Sequence, residues 1–311
     1  MIKRILKTLF SKEVIDKGVI AYKKIRAKIH GNDPKWCMNA FYKDIFNKDI
    51  DWENPKDLIE KINWLQLNTD TSLWTKCADK YGVRDFVKQA GLGYILNELY
   101  GFWDKAEDID WNKLPDKFVL KTTQGCGEVI LVTDKDAIDR KKVCRQLNSW
   151  LKEKFGLYNG QTHYTRIHPR IIAERMLINK ANPEKSLVDY KIWCFHGEPT
   201  FVLCGFDRVV GKKYKTSAFD LEWNNISDIV LKKSNPHYSG EYVTKPTCFN
   251  EMLSVARKLS VLFPEVRVDL YDDDGHVVFG ELTFTTGYGS YNKDFYDYLG
   301  SKIDLTRVET K

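Results

Sequence analysis

The chain has 311 residues, with 49 Lys and Arg against 43 Asp and Glu, a formal net charge of +6. That length allows a large buried core split over two or three subdomains, and seven dispersed cysteines without a CxxC pair argue for free thiols in a reducing compartment. No run approaches the roughly eighteen apolar residues of a spanning helix, so a cytoplasmic protein is expected.

Residues 1–29 hold nine Lys or Arg against Glu13 and Asp16, a net of +7 that leaves the rest of the chain nearly neutral. Ile2, Ile5, Leu6, Leu9 and Phe10 fall at helical spacing, which predicts a basic amphipathic helix. Two roles stay open for it: peripheral contact with an anionic membrane, or a solvated surface helix packed on the body. Its Lys and Arg break the apolar run too often for a signal-peptide core. Nucleic acid is not an expected partner, because no binding motif accompanies the charge.

The stretch 30–79 is rich in aromatics, among them Trp36, Tyr42, Trp52, Trp64 and Trp74, which suit either a core or a sugar-stacking surface. Within it NPKDLIEKINWLQ predicts a capped helix that turns Leu58, Ile62 and Leu65 inward. Soft boundaries are expected near 111–115 and 179–185, giving a helical region 1–115 and two further subdomains, 116–180 and 181–311.

In PDKFVLKTTQGCGEVILVTD a glycine-containing loop lies between two β-like runs, Phe118–Lys121 and Glu128–Val132. A P-loop or dinucleotide fingerprint opens into a helix, whereas here a strand follows, so the unit is either a plain turn or a clasp over a nucleotide. Gly125 and Gly127 would permit close backbone approach to phosphate, with the Lys121 cation ending the strand beside them. Next, RIIAERMLI (170–178) predicts a buried strand carrying one acid, Glu174, and LVDYKIWCF (187–195) places Asp189, Lys191, Trp193 and Phe195 on one face. Arg208, Lys212, Lys213 and Lys215 lie in an expected loop at 205–219, solvated or facing an acidic glycan. A helix over about 250–262 precedes the last strands.

Those strands, VRVDLYDDDGHVVFGELTFTT (266–286), each carry one acid around an Asp/Gly turn. Asp269 and Glu281 are symmetric about Gly275, so an odd loop centred there would set them face to face as a two-carboxylate site suited to Mg2+. An even turn at Asp274-Gly275 would put them on opposite faces, and a plain exposed hairpin accounts for the same residues. His163, His168, His196, His237 and His276 are scattered without metal spacing and are expected on the surface or in loops. No Ser-His-Asp or Cys-His nucleophile arrangement stands out.

Taken in order, FVLKTTQGCGEVI, IIAERML, DYKIWCFHGE and VRVDLY with GELTFTTGYGS resemble the ATP-grasp superfamily of D-alanine ligase and biotin carboxylase. In particular they resemble the TupA-like ATP-grasp proteins of bacterial surface-polysaccharide clusters, over about residues 76–291. The resemblance implies an α+β ATP-grasp fold of two subdomains clasping ATP, with a helical N-terminal region. It implies that Lys80, in a helix ADKYGVRDFV, and Lys121 neutralise the phosphates of ATP, and that the loop with Gly125 and Gly127 covers them. The Glu174–Leu177 backbone would hinge around adenine, with Glu174 or a neighbour near ribose; Asp269, Glu281 and Thr283 would hold Mg2+. Arg267 would meet the transferring phosphoryl group, and Lys191 would approach phosphate or substrate.

Two departures from the family pattern stand out: Thr283 where many members carry Asn, and Cys126 where a smaller residue is usual. The implied activity is ATP-dependent carboxylate-amine ligation through an acyl phosphate, amidating a hexuronic acid of a surface-polysaccharide precursor with an amino acid or other amine. The alternative is a glycosyltransferase or accessory protein using a nucleotide sugar.

Overall fold

A computed structural model describes residues 12–180, 182–208 and 214–311, with side chains from Gly18 onward. The expected apolar stripe at Ile2–Phe10, together with Lys212 and Lys213, lies outside the described residues.

Five helices lead the chain: α1 Lys12–Ile29, α2 Pro34–Phe46, α3 Leu58–Asn68, α4 Ser72–Ala78 and α5 Val83–Gln89. The α3 helix starts with a capping box, in which the Asp57 carboxylate accepts from the Ile59 and Glu60 amides and Glu60 accepts from the Asp57 amide. Leu58, Ile62 and Leu65 are buried, as the periodicity predicts. Lys80 does not stand inside a helix as expected. The chain breaks at Asp79–Gly82, where the Asp79 carboxylate accepts from the Tyr81 amide and the Lys80 backbone turns to donate to the Thr123 carbonyl. The described part of α1 is tied down by a bidentate Arg26–Asp44 pair and by Lys24–Glu153. It leaves Tyr22, Ile25 and Ile29 exposed.

The first sheet is antiparallel, in the order β1-β4-β2-β3, from Leu99–Trp103 (β1), Phe118–Thr122 (β2), Val129–Val132 (β3) and Ile171–Arg175 (β4). Since β1 pairs with β4, the expected boundary at 115 cuts through this sheet, and a strand assigned to the helical region belongs to it. No long apolar run announces LYGFW, whose residues are mostly half-buried. Helix α6, Arg140–Leu151, backs the sheet, burying Leu147 in one core with Phe118, Leu120, Ile171 and Ala173.

The second sheet, also antiparallel, runs β7-β6-β5-β8-β9, from Asp189–Phe195 (β5), Glu198–Phe206 (β6), Lys215–Phe219 (β7), Glu265–Asp273 (β8) and His276–Thr283 (β9). The expected loop at 205–219 is therefore largely a strand pair, with Gly205↔Thr216 and Phe206↔Lys215 in register. Short helices α7 (Thr162–Thr165) and α8 (Ser227–Val230) precede α9 (Phe249–Ser260) and α10 (Lys293–Ser301). The apolar face of β8, Val266, Val268 and Leu270, shares a core with Met252, Val255 and Leu259 of α9 and with α2–α5, so the N-terminal helices pack with the last third of the chain. Trp74 of α4 stacks on Phe284 just after β9. All seven cysteines are unpaired, and no described helix is long and apolar enough to cross a membrane.

Candidate active site

The β8–β9 hairpin closes through an even turn, contrary to the expected odd loop: Asp273 pairs with His276 around Asp274-Gly275, both at positive φ (56° and 84°). Continued regularly, that register would face Asp269 with Gly280 and send Glu281 to the other side. A β-bulge between Asp269 and Leu270 adds Gly280 as the extra residue, so that Asp269 pairs with Glu281 after all. Only glycine fits there, since a Cβ would lie 2.8 Å from the Asp269 carbonyl oxygen. Gly280 inside a strand pattern was the available signal.

On that face the charges form one network. The buried Asp269 carboxylate accepts from Arg267 Nε and Nη2, both at 2.6 Å, and from Lys191 Nζ at 2.6 Å. Lys191 also reaches Asp189 at 2.6 Å, and Arg208 pairs with Asp189 at 3.3 Å. Thr283, paired with Arg267 across the strands, accepts from its guanidinium at 3.1 Å and donates to Glu281 at 3.2 Å. Arg267 Nη1 extends to Thr286 at 2.7 Å. Burial would raise the Asp269 carboxyl, but Arg267 and Lys191 more than offset it and hold it below the ordinary carboxylate range. Asp189, equally buried but sharing Lys191 with Asp269, is pushed up by desolvation.

The loop of the first sheet brings Cys126 within electrostatic reach of this network. Its base is fixed: Thr123 N donates to the Arg170 carbonyl, and Lys80 Nζ donates to the Gly125 carbonyl. The Glu128 carboxylate folds over Gly125 to accept from Thr122, so a Cβ at 125 would push that carboxylate aside. Gly127 has φ +78° and open space around it. Cys126, at the tip, lies near enough to Glu281, Lys80, Arg267 and Lys191 for their charges to act on its thiol. Desolvation pushes its thiol up, which disfavours the reactive thiolate.

Lys121 and Glu174 lie on β2 and β4, 2.9 Å apart, and Arg84 meets the other Glu174 oxygen at 3.3 Å. Leu177 follows β4 in half-buried, non-strand chain. The backbone groups of residues 176–178 have no hydrogen-bond partner among the described residues. A pocket of about 110 Å3 opens beside Lys191 and Arg267, bounded by Gly205, Tyr214, His237 and Ser290.

The profile described as TupA-like ATPgrasp matches residues 60–304. The chain belongs to this family. Its two antiparallel sheets with packed helices are thus the α+β ATP-grasp fold. Among solved structures it is similar to D-alanine–D-alanine ligase from Bacillus anthracis complexed with ATP, at 15% identity over 76% of this chain and 66% of that one, TM-score 0.43. It is also similar to L-amino acid ligase from Bacillus licheniformis, at 14% identity over 74% and 49%, TM-score 0.46. The chain therefore spans just under two thirds of the first and about half of the second. Comparison with curated proteins found no match.

In this TupA-like ATP-grasp protein, residue pattern alone missed four members of the charged surroundings. Arg84 and Thr286 carried no signal, and Tyr164 takes part only through the proximity of Glu281 and Cys126. Asp189 had one, its two-residue spacing from Lys191 on a strand. His163, expected on the surface, is fully buried against Trp74 and Phe284, and desolvation lowers its imidazole to about 3.

Proposed function

We propose that this protein is an ATP-dependent carboxylate-amine ligase that works through an acyl phosphate, with Arg267 and Lys191 at the reacting centre. The observation that carries this is the pair of buried cations shared with Asp269, whose charges reach the tip of the glycine loop. Two anions, the γ-phosphate of ATP and a substrate carboxylate, must be held in line while their repulsion is cancelled, and preorganised guanidinium and ammonium groups do that. Lys80 and Lys121 border the loop on the first sheet and would take the phosphates, with the Gly125–Gly127 backbone closing over them. The unpaired backbone of residues 176–178 suits the hydrogen-bonding edge of adenine, while Glu174, already paired with Lys121 and Arg84, would orient the lysine and border the ribose.

Asp269 and Glu281 fit Mg2+. They are oxygen ligands on one face, and among the described residues no group of three Asp, Glu, His or Cys gathers to hold a metal by protein alone. Mg2+ takes one or two carboxylates and fills its octahedron with water and phosphate oxygens. Bound there, it would neutralise phosphate charge and polarise the transferring group. Thr283 would orient Glu281 through its hydroxyl.

The substrate pair is a uronic acid of a bacterial surface-glycan precursor and an amino acid or other amine. The cationic pocket favours a carboxylate, and the family resemblance favours the glycan. Peripheral contact of residues 1–29 with anionic membrane would bring the enzyme to lipid-linked precursors, and the exposed Tyr22, Ile25 and Ile29 beside Lys24 and Lys28 support it. Incubating the protein with Mg-ATP, a glucuronic-acid oligosaccharide and pooled amino acids should release ADP and phosphate only when acid and amine are both present. UDP release from UDP-sugars without ATP consumption would replace this assignment with sugar transfer.

A further inference from the structure

On the ligase reading above, we infer that His237 is the general base that deprotonates the incoming amine. Its ring stacks on Tyr214, with centroids 4.1 Å apart, and its Nδ1 lies 3.0 Å from the Tyr214 carbonyl oxygen. A carbonyl only accepts, so Nδ1 carries the hydrogen and the neutral ring presents Nε2 as a lone pair. Nε2 has no hydrogen-bond partner among the described residues and is not sealed in the interior. The backbone on either side of the ring is fixed as well: His237 N donates to Asn235 Oδ1 at 3.0 Å and its carbonyl accepts from Thr216 at 2.7 Å. The ring is thus held in one tautomer and one orientation, on the wall of the same small pocket as Lys191 and Arg267.

The cations and the buried Tyr291 phenol on that wall do not offer a base. Lys191 is shared between two carboxylates, Arg267 stays a cation, and burial pushes the Tyr291 phenol well up. Arg208 covers the outer side of Tyr214, and Lys215 is turned to Asp207 and Glu241.

Chemistry requires such a group. An aliphatic amine is mostly ammonium at neutral pH and must shed protons to form an amide. The amine nitrogen lone pair attacks the acyl carbon and a C–N bond forms. His237 Nε2 takes the ammonium proton that frees this lone pair, and as the acyl C–O bond breaks, inorganic phosphate leaves with that electron pair and takes up the second N–H proton. The two cations stabilise the acyl phosphate, and the imidazole completes the second half-reaction.

The test separates the half-reactions. With Mg-ATP and a glucuronic-acid oligosaccharide, hydroxylamine, unprotonated at neutral pH, traps the acyl phosphate as a hydroxamate without a base, whereas pooled amino acids need one. In His237→Asn the amide N–H keeps the bond to the Tyr214 carbonyl but removes the base. Amide formation should fall on the order of 10²–10⁴-fold, the usual worth of general-base catalysis, while hydroxamate formation stays close to that of the unsubstituted chain. Parallel loss of both products, or of neither, would overturn the assignment. If the Asn variant does not fold, His237→Ala with added imidazole replaces it: recovery of amide synthesis supports the base, and a soluble variant that does not recover refutes it. Absence of hydroxamate from the unsubstituted chain would instead sink the ligase reading beneath it.

Discussion

Set side by side, the four-stranded and five-stranded sheets differ in what they bury. The first closes a small apolar core over helix α6 and keeps its ion pair partly open, with the Lys121 and Glu174 side chains 29% and 11% exposed. The second shares the main core with α2–α5 and α9 on one face and inserts Lys191 and Asp269, 13% and 2% exposed, into the other. A buried network of four charges is rigid because each partner's removal strands another charge away from water. The glycine loop is held by hydrogen bonds at Thr123, Gln124 and Gly125 and leaves Cys126 at its tip exposed. The division places the fixed electrostatics of the site on the second sheet and the glycine loop on the first.

The largest expected effect is on turnover. Glu281→Gln changes a half-exposed side chain, so folding should persist while ATP consumption drops about a thousandfold, equivalent to roughly 4 kcal/mol of transition-state stabilisation. Unchanged turnover would mean that metal-dependent chemistry is not its task. For stability, Lys191→Met should cost about 3–5 kcal/mol in urea unfolding by leaving Asp189 and Asp269 without their shared cation. Lys121→Met should cost less, about 1 kcal/mol, because Arg84 still neutralises the buried Glu174. Equal losses would break the contrast between the sheets.

His163 sharpens it, because α7 lies between α6 and β4 in the chain yet packs His163 on Trp74 and Phe284 of the main core. Its imidazole, lowered to about 3 by burial, binds protons more readily in the unfolded chain. The stability it allows is therefore present above the unfolded value of about 6.5 and is lost as pH falls toward 3, at up to roughly 1.4 kcal/mol per unit. His163→Phe should flatten the unfolding free energy over that window, and an unaltered acid limb would assign it elsewhere.

Two glycines set the smaller effects. Gly280→Ala should cost about 1–3 kcal/mol, because its Cβ meets backbone on the rigid sheet. Gly127→Ala, with open space but a left-handed backbone, should cost about 1–2 kcal/mol and raise the KM for ATP. Identical responses in thermal melts and ATP titrations would remove the distinction between a packed bulge and an open loop.

Much of this architecture is visible in local pattern. The capped helix at Leu58, the strand–glycine loop–strand at 118–132, and the two acid-bearing strands of 266–286 each follow from periodicity or turn chemistry over a few residues. The helix break before Lys80 escaped because it depends on Asp79 bonding its own turn and on Thr123 accepting from the Lys80 backbone. Strand β1 escaped because its pairing with β4 joins segments about seventy residues apart, and its half-buried residues carry no alternation. His237 looked like one more scattered histidine until folding brought it beside Lys191.

By itself the sequence determined which residues carry charge, which faces are apolar, and that two acids flank an Asp/Gly turn. Tertiary structure alone decided that those acids face each other, through a bulge that compensates an even turn. It also decided that Lys191 meets Asp269 from 78 residues away and that the N-terminal helices share a core with the last strands. The physical reason is one of range: helix and strand preferences act over a few residues, whereas register, charge neutralisation and burial are set by whichever distant partners the packed chain brings into contact.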